Sequence, residues 1–404
     1  MVYYNTEGGK PMKKLVKLLS FVLVAVMCIA LCSCGEKTSL RKKPVEHEHV
    51  MPLLMYVGCG DDSGKASQPK FSDKELQQLT DAGINEYIML TTFMPTYYCD
   101  IDENGNAVGE PKRLCTKEDI YSLTMEDLGV DSEYALQLKQ EQIIKDTYIT
   151  PSDNKSTINQ QIDYEIELAK RILAINPEAK FWFSLPHTKM TEGATFYAQH
   201  YMDVIYPKIK IAFSAEEFEK NVGGFYWSTE DAAGTVFDTE NKVDFGNPVV
   251  KAAKYCSDIL HEENKTMMWI PYTTIGTQYD RIGYISNTTD IFDYVYIQPG
   301  YLWHENKEQF ITYIKNSVEA GAVLSTTGAI YGGEKKSSTV IGVEIELDNK
   351  TVIGKEKDNH LRRYNAYVEN YSQFKSDKLI AIYCSNSTNM FTEGVTEKLF
   401  EWYK

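Results

Sequence analysis

The sequence predicts an α/β fold, a (β/α)8 barrel of the TIM type, from three observations. Eight short apolar runs follow one another from residue 51 onward, and helical patterns separate most of them. The runs are apolar almost throughout, as expected for parallel strands that are buried on both faces. A doubly wound open sheet is the competing fold, but no glycine-rich phosphate loop follows any of the runs. We therefore expect the strands to close into a barrel.

The predicted strands and helices alternate along the chain. The strands are Pro52–Val57, Glu86–Phe93, Lys180–Pro186, Gly223–Thr229, Thr266–Tyr272, Tyr294–Pro299, Val340–Leu347 and Leu379–Ser385. The helices are Ser72–Ala82, Asn159–Ile175, Phe196–Ile211, Ser214–Lys220, Pro248–Glu263, Gln278–Thr289, Lys307–Ala320 and Asp358–Asn370. Ser72 and Glu75 have the spacing of a capping box, which predicts that the first helix begins after Ser72.

One segment breaks this alternation. The segment 94–158 is too long for a loop, so we expect an insertion after strand two, at the C-terminal face of the barrel. Within it, Asp100–Gly105 resembles the start of a calcium loop, but Pro111 stands where the last glutamate ligand is expected. The pair Asn104-Gly105 between strand-like residues is more typical of a hairpin turn, and this is the structure we expect.

The N-terminal segment has the pattern of a targeting sequence. A basic start at Met12 precedes an apolar run over residues 15–31, as in a secretory signal peptide. The run leads to Cys34 in a pattern that resembles a bacterial lipobox, although a plain signal peptide and a single anchor helix are alternatives. We therefore expect a protein that is lipid-anchored on the extracellular face of the cell membrane. The expected parts are a signal peptide over residues 1–33, a tether over residues 34–50 and the barrel domain over residues 51–404.

The chain is acidic: 42 Lys and Arg residues stand against 57 Asp and Glu residues, a formal net charge of −15. This balance argues against a nucleic-acid partner, because binding to phosphates needs a basic patch. His47 and His49 lie in the tether, where we expect solvated histidines and no metal site. No CxxC spacing occurs, so a zinc site has no support. We predict no metal and no organic cofactor, and we expect a monomer.

Carboxylates stand at the ends of two predicted strands. In a (β/α)8 barrel the reacting groups lie at the carboxyl ends of the strands, an end that we call the mouth. Glu344 and Glu346 share one face of strand seven because side chains alternate along a strand, and we expect this face to point into the barrel. Glu230 ends strand four, which lies across the barrel from strand seven. A carboxylate inside an apolar barrel is costly unless it is paired or used.

Two carboxylates that face each other over the mouth have the arrangement that glycoside hydrolysis requires. One carboxylic acid protonates the leaving oxygen, and the other carboxylate attacks the anomeric carbon or activates water. Retaining barrel glycosidases commonly carry the acid on strand four and the nucleophile on strand seven. The sequence therefore predicts Glu230 as the acid and Glu346 as the nucleophile or base, with Glu344 in a catalytic or supporting role. A helix-turn acid at Glu230 and a structural ion pair at Glu344 are the alternatives.

The aromatic content is high, with 28 Tyr, 16 Phe and 5 Trp. Flat rings with a polar edge suit stacking on sugars, although aromatic residues also fill barrel cores. Four tryptophans lie on or just after strands three to six: Trp182, Trp227, Trp269 and Trp303. We expect the following residues near the strand ends to bind the substrate: Tyr56, Asp61, His187, Trp227, Tyr272, Gln298, Tyr301 and Trp303.

Four motifs follow one another in a fixed order. They are Gly224-Phe225-Tyr226-Trp227 with Glu230, Trp269-Ile270-Pro271-Tyr272, Gln298-Pro299-Gly300-Tyr301 and Gly342-Val343-Glu344-Ile345-Glu346. Over about residues 51–404 the chain resembles a family of secreted bacterial proteins that is catalogued as domain of unknown function 4855. The resemblance implies a glycosidase-like barrel, mainly in gut and soil bacteria that handle polysaccharides. The sequence departs from the family at Gly300, where an asparagine is expected, so an amide that contacts the sugar is expected to be missing.

The sequence thus predicts a surface-anchored lipoprotein that acts as a glycoside hydrolase on an oligo- or polysaccharide. A non-catalytic carbohydrate-binding lipoprotein on the same barrel is the first alternative, which explains the aromatic residues without the carboxylates. A third interpretation, an assembly or adhesion protein of the cell envelope, predicts that no cleft lies at the strand ends.

Overall fold

Eight parallel strands form the closed barrel that the sequence predicts. The structure is a computed structural model, and it describes residues 47–60, 66–67, 69–91, 97–101, 107–113, 124–125, 130–138, 140, 157–185, 198, 201–232, 243, 245, 247–273, 277–384 and 389–404. Neighbouring barrel strands in chain order are hydrogen-bonded, and the last strand returns to the first, where Ile382 pairs with Leu53. The barrel strands are β1 Leu53–Gly60, β2 Glu86–Thr91, β3 Lys180–Leu185, β4 Val222–Trp227, β5 Thr266–Trp269, β6 Tyr294–Ile297, β7 Val340–Glu346 and β8 Ile380–Tyr383.

Helices pack around the outside of the barrel. They are α1 Asp73–Asp81, α2 Thr157–Ile175, α3 Tyr206–Ala212, α4 Ala215–Asn221, α5 Pro248–Glu262, α6 Thr277–Thr288, α7 Gln309–Ala320, α8 Lys357–Tyr371 and α9 Val395–Tyr403. A π-helical turn, Tyr201–Ile205, precedes α3, and short 3-10 turns lie at Glu305–Lys307, Asn349–Thr351, Ser372–Phe374 and Asn389–Phe391. The predicted strands are confirmed with small shifts at their ends, whereas α9 and the π-helical turn were not predicted. Within the described ranges, no helix has the length and apolar character needed to cross a membrane.

Local sequence signals set the beginnings of several helices. At α1, the Ser72 hydroxyl accepts the N–H of Glu75, and the Glu75 carboxylate accepts the N–H of Ser72, so the predicted capping box is confirmed. Ser214 and Glu217 form the same box at α4. The side chain of Asn247 caps α5 by accepting two backbone N–H groups. These caps satisfy donors that the first turn of each helix would otherwise leave unpaired.

Alternate side chains of the barrel strands build two separate cores. Side chains of one parity form an inner cluster in the barrel, which includes Leu54, Ile88, Trp182, Tyr226, Met268 and Tyr296. Side chains of the other parity pack under the helices in a larger outer cluster, which includes Leu53, Tyr87, Phe183, Phe225, Val343 and Ile345. Strand β7 therefore turns its apolar residues outward and its two glutamates inward, as the alternation along the strand predicts.

The segment before β1 packs across the amino-terminal end of the barrel, which corrects the prediction for His47. This residue was expected in a solvated tether, but its side chain is 2 % exposed and its Nε2 lies 3.0 Å from Oδ1 of Asp293. The other oxygen of Asp293 lies 2.9 Å from Nε2 of His261 and accepts the N–H of Met267 at 2.7 Å. Because the Asp293 side chain is completely buried, it needs polar partners, and His47 supplies one of them.

Tyrosines of the barrel interior hold the same segment by its backbone. The Tyr294 hydroxyl donates to the carbonyl of Glu48 (2.7 Å), and the Tyr296 hydroxyl donates to the carbonyl of Val50 (2.5 Å). The carboxylate of Glu48 also pairs with Lys180 at 2.8 Å. The last residues of the predicted tether therefore close the end of the barrel that lies opposite the mouth.

Parts of the predicted insertion after β2 are described. The strands Tyr97–Ile101 and Ala107–Arg113 pair antiparallel, with Ile101 opposite Ala107. This pairing flanks Asn104-Gly105 in the way that the predicted hairpin requires, although the turn itself lies outside the described residues. A two-residue strand, Ala66–Ser67, pairs antiparallel with the end of β1.

Candidate active site

A backbone ladder continues past the ends of three strands and fixes side chains at the mouth. The carbonyl of Glu230, three residues beyond β4, accepts the N–H of Tyr272 at 3.0 Å. Tyr272 forms a parallel bridge with Gln298, whose N–H donates to the carbonyl of Pro271 at 3.0 Å. Glu230, Tyr272 and Gln298 therefore occupy set positions along the rim formed by β4, β5 and β6.

Glu346, the last residue of β7, is held by three hydrogen bonds. Its Oε1 accepts the N–H of Gly300 (2.9 Å), and its Oε2 accepts the N–H of Leu302 (3.1 Å) and the hydroxyl of Tyr367 (2.5 Å). The residue is 1 % exposed. Each carboxylate oxygen can accept about two hydrogen bonds, so with respect to the described residues Oε2 is saturated and Oε1 keeps one acceptor position. The loop after β6 and the helix α8 thus orient Glu346 and leave one oxygen for chemistry.

Glu344 lies deeper in the barrel on the same face of β7. It is 1 % exposed, and its carboxyl group accepts a hydrogen bond from the side chain of Gln298. Its Oε2 has no hydrogen-bond partner among the described residues, and the same holds for the buried hydroxyl of Tyr226, which feels the charge of Glu344. An uncharged carboxylic acid suits these surroundings better than a carboxylate. Glu344 therefore has a supporting role in the barrel interior, one layer below the carboxyl groups at the mouth.

Burial raises the pKa of all three glutamates, but their neighbours act on them differently. The pKa of Glu230 rises to about 7 because of burial and then because of the charge of Glu346. Burial and the charges of Glu346 and Glu230 hold the pKa of Glu344 well above its usual range. Burial also raises the pKa of Glu346, but its three hydrogen-bond donors and the ammonium of Lys307 oppose this rise. The donors around Glu346 therefore favour its ionised form, whereas a pKa near 7 lets Glu230 keep its proton to near neutral pH.

Lys307 and Tyr272 complete the mouth. The Nζ of Lys307 lies 3.4 Å from the centroid of the Tyr272 ring and donates to the carbonyl of Thr273. Burial lowers the pKa of the Lys307 ammonium to about 8, and the charge of Glu346 acts against this decrease. Burial and the charges of Glu346 and Glu230 raise the pKa of Tyr272, so the ring of Tyr272 lies within the field of both carboxylates.

Sequence reasoning missed three residues of this site. Lys307 lies in the loop after β6, and Tyr367 lies on α8, so neither of them ends a strand. Tyr367 is completely buried and has the sequence pattern of an ordinary core residue of a helix. Tyr226 shares the inner face of β4 with Glu230, and this alternation was the available signal.

Two residues that were predicted to bind substrate face away from the mouth, and these predictions are wrong. Trp227 is 2 % exposed and packs in the outer core, because it alternates with the inward Tyr226. Tyr301 is 1 % exposed, packs in the same outer core, and accepts a hydrogen bond at its hydroxyl from Arg362 of α8 (2.9 Å).

The predicted cluster of tryptophans at one end of the barrel is not formed. Trp269 stacks on Phe292 in the outer core, with 4.8 Å between ring centroids. Trp182 fills the barrel interior and donates from Nε1 to Thr266, the first residue of β5, at 2.9 Å. Trp303 follows β6 but packs edge-on against His360 of α8, with 6.0 Å between ring centroids. These rings stabilise the fold at different levels of the barrel.

The other predicted residues fall into three groups. Tyr272 and Gln298 lie at the mouth as predicted, and Tyr56 packs against the inner cluster of the barrel. Asp61, His187 and Cys34 lie outside the described residues.

The chain is similar to several solved structures. No protein-family model matches the chain, and no curated protein matches it. The glycoside hydrolase family 5 enzyme PbGH5A of Prevotella bryantii B14, in complex with a xyloglucan tetradecasaccharide, is similar with a TM-score of 0.43 and 9 % identity, over 89 % of this chain and 97 % of that chain. The GH5 xyloglucanase of Bacteroides ovatus is similar with a TM-score of 0.39 and 11 % identity, over 89 % and 73 %.

A third similar structure is the GH18 chitinase ChiB of Flavobacterium johnsoniae. Its TM-score is 0.33 at 11 % identity, over 88 % of this chain and 94 % of that chain. All three TM-scores lie below 0.5. The barrel fold therefore rests on its own strand order, and the site rests on its own geometry.

Proposed function

We propose that the protein is a glycoside hydrolase that acts on an oligo- or polysaccharide, with Glu230 as the general acid and Glu346 as the nucleophile or base. The observation that carries this proposal is that two buried carboxyl groups act on each other at one mouth and that three hydrogen-bond donors point at Glu346. The pKa of Glu230 rises to about 7, whereas hydrogen bonds and a nearby ammonium favour the ionised form of Glu346. Cleavage of a glycosidic bond needs one carboxylic acid and one carboxylate beside the same bond.

Glu230 acts as the general acid in the first step, the cleavage of the glycosidic bond. Below about pH 7 the acid donates its proton to the leaving oxygen as the glycosidic bond breaks. If Glu346 attacks the anomeric carbon directly, its negative charge disappears in the glycosyl ester. The pKa of Glu230 then falls, because that charge helps to raise it, and Glu230 can remove a proton from the water that hydrolyses the ester.

Oε1 of Glu346, the oxygen with a remaining acceptor position, is the proposed attacking atom. Oε2 is occupied by Leu302 and Tyr367, so the orientation of the carboxylate is set before substrate binds. Preorganised hydrogen bonds of this kind lower the cost of reorganisation during the reaction. Tyr272 is partly exposed within the field of both carboxylates, where its ring can stack on a sugar.

A panel of polysaccharides, assayed for newly released reducing ends, tests the proposal. We expect the wild type to release reducing ends from at least one glycan, and Glu230→Gln and Glu346→Gln to lower kcat by about 10²-fold or more. Glu86→Gln is the matched control, because Glu86 is a carboxylate of 4 % exposure that accepts the N–H of Met51 at the opposite end of the barrel. Equal losses in all three variants would indicate damage to the fold and contradict the assignment.

A non-catalytic carbohydrate-binding protein is the second candidate, and the burial of Glu346 favours it. A carboxylate of 1 % exposure with three hydrogen bonds can also serve as a structural tie between β7, the loop after β6 and α8. A glycan array separates the two functions. For a hydrolase, Glu346→Gln retains ligand that the wild type cleaves, whereas for a binding protein the wild type keeps its ligand intact.

For the location of the protein, we propose lipid anchoring through Cys34 on the extracellular face of the cell membrane. The apolar run over residues 15–31 and the cysteine that follows it support this proposal. Wild-type protein is expected in the membrane fraction of the host, and Cys34→Ser is expected to shift it away from that fraction. Wild-type protein that is recovered entirely outside the membrane fraction would contradict the anchor.

A further inference from the structure

Lys307 is a buried cation at the mouth that the proposed reaction steps do not use. It ends the 3-10 turn Glu305–Lys307 between β6 and α7 and is 5 % exposed. A buried ammonium is costly unless nearby groups stabilise its charge. Two such contacts are present: its Nζ lies 3.4 Å from the centroid of the Tyr272 ring, and it donates to the carbonyl of Thr273.

Gly300 connects this ammonium to the candidate nucleophile. The N–H of Gly300 donates to Oε1 of Glu346 at 2.9 Å. On the other side of the same residue, a Cβ added to Gly300 would lie 2.6 Å from Nζ of Lys307, so a side chain at this position would force the end of the Lys307 side chain to move. Gly300 also has a φ of +65°, which side chains rarely adopt. The glycine thus lets the ammonium approach the backbone that holds Glu346.

An asparagine at position 300, which the family resemblance implies, would displace the Lys307 ammonium from its place beside this backbone. The ammonium of Lys307 occupies the space that the first carbon of such a side chain would need. With glycine at this position, an ammonium lies beside the backbone that holds Glu346. The chemical consequence concerns charge, because an ammonium stabilises a neighbouring carboxylate whereas an amide carries no net charge.

We propose that Lys307 is a positioning residue whose ammonium, packed against Gly300 and Tyr272, keeps Glu346 ionised and orients the Tyr272 ring for the reaction. This inference rests on the proposed glycoside hydrolase function. The cation lies against Gly300 in the loop after β6, and the N–H of this glycine holds Glu346, so the charge acts on Glu346 through the same loop. The titratable groups that act electrostatically with Glu346 in the structure are Glu230, Glu344, Tyr272, Lys307, Tyr367 and Tyr371.

The test compares Lys307→Met and Lys307→Gln with a matched control, Lys265→Met. Lys265 precedes β5, far from the mouth, and is 3 % exposed. Its Nζ lies 4.6 Å from the centroid of the Phe218 ring and donates to the carbonyl of Phe218, so its surroundings are similar to those of Lys307. The pKa of Glu346 is measured by NMR of full-length protein with ¹³C-labelled glutamate, and Glu346→Gln and Glu230→Gln assign the signals.

Both Lys307 variants should raise the pKa of Glu346 by about one unit, and Lys265→Met should leave it unchanged. In active enzyme the acid limb of kcat/KM should move upward by the same amount, which lowers activity about 10-fold on that limb. An unchanged pKa of Glu346 in a folded Lys307 variant would overturn the proposal. The NMR titration needs no turnover, so an inactive wild type would contradict the hydrolase and still leave the role of Lys307 measurable.

A reciprocal measurement covers the case in which neither Lys307 variant folds. Coupling between two sites is symmetric, so Glu346→Gln should lower the pKa of Lys307 by the amount that Lys307 lowers the pKa of Glu346. NMR of ¹³C-labelled lysine reports this value, with the signal of Lys265 as the internal reference that should not move. A Lys307 pKa that is the same in wild type and Glu346→Gln would reject the coupling.

Discussion

Glu230 and Glu346 have the same side chain and differ in the donors that surround them. Two backbone N–H groups and a tyrosine hydroxyl point at Glu346. Both influences on Glu230, burial and the charge of Glu346, raise its pKa, so it reaches about 7. A pair of carboxyl groups with such different surroundings can act as an acid and a base at the same pH. At the residue scale, the proposed chemistry is therefore a consequence of hydrogen-bond placement.

The pH dependence of activity follows from the pKa of Glu230. A general acid must be protonated, so kcat/KM should fall above about pH 7 as Glu230 loses its proton. The measurement is kcat/KM from pH 5 to 9 for wild type and Glu230→Gln. The variant should have low activity and no basic limb near pH 7. A basic limb that stays at the same pH in Glu230→Gln would assign the titration to another group, such as Lys307.

Single residues were predictable where the alternation of a strand determined them. Glu344 and Glu346 could be placed inside the barrel because Val343 and Ile345 needed the outer side. The same rule excludes Trp227 from the mouth, and the prediction for Trp227 failed because strand-end position was given more weight than alternation. Lys307 could not be predicted, because its role depends on a close approach to Gly300 that no sequence spacing reveals.

At the element scale, the loop after β6 connects the site to the rest of the fold. The N–H of Leu302 is shared between the hydroxyl of Tyr367 (2.7 Å) and Oε2 of Glu346 (3.1 Å), and its carbonyl accepts a hydrogen bond from Arg363 of α8 at 3.0 Å. The Tyr367 hydroxyl from α8 also reaches Glu346. A helix and a loop that are far apart in sequence therefore orient one carboxylate. Supporting contacts of this kind determine how accurately a reactive group is held.

The segment before β1 is a second element with a specific electrostatic anchor, and it leads to a stability prediction. Burial alone would raise the pKa of Asp293, but hydrogen bonds and charges from His261 and His47 outweigh it and hold the pKa below its usual range. Asp293→Asn removes this buried interaction and should lower the free energy of unfolding by about 3 kcal/mol or more at pH 7. Urea unfolding of wild type and variant measures the difference.

The sign of the pH dependence follows from the lowered pKa of Asp293. A carboxyl group with a lowered folded-state pKa stabilises the fold above its unfolded pKa of about 3.9, and this contribution is lost as the pH falls through the folded value. The difference between wild type and Asp293→Asn should therefore shrink below about pH 4. Asp73→Asn is the control, since Asp73 is 80 % exposed in its pair with Arg171 and surface pairs contribute little. An equal difference at pH 7 and pH 3 would contradict the assignment.

Elements were predictable where their signals are local. The eight strands read as apolar runs, and the capping box of Ser72 and Glu75 marked the start of α1. The packing of His47 was not predictable, because Asp293 lies on a distant part of the chain and burial of the pair is visible only in three dimensions. The π-helical turn Tyr201–Ile205 has no sequence signal of its own and interrupts what was predicted as one helix.

At the scale of the whole molecule, the two ends of the barrel have different chemistry. At the amino-terminal end, the hydroxyls of Tyr294 and Tyr296 donate to the backbone of the segment before β1, and Trp182 packs against Tyr294 in the barrel interior. Three carboxyl groups, Glu230, Glu344 and Glu346, follow toward the carboxyl ends of the strands. This division agrees with the general behaviour of (β/α)8 barrels, in which one end stabilises the fold and the other carries reactive groups.

The central claim is that Glu230 protonates the leaving group while Glu346 acts at the anomeric carbon. The most direct measurement is hydrolysis of a matched pair of substrates by wild type, Glu230→Gln and Glu346→Gln: a natural linkage and an aryl glycoside whose leaving group needs no protonation. Glu230→Gln should lose about 10²-fold or more on the natural linkage and keep most of its activity on the aryl glycoside. Glu346→Gln should lose activity on both substrates. Equal losses of Glu230→Gln on the two substrates, or full activity of Glu346→Gln, would contradict the claim.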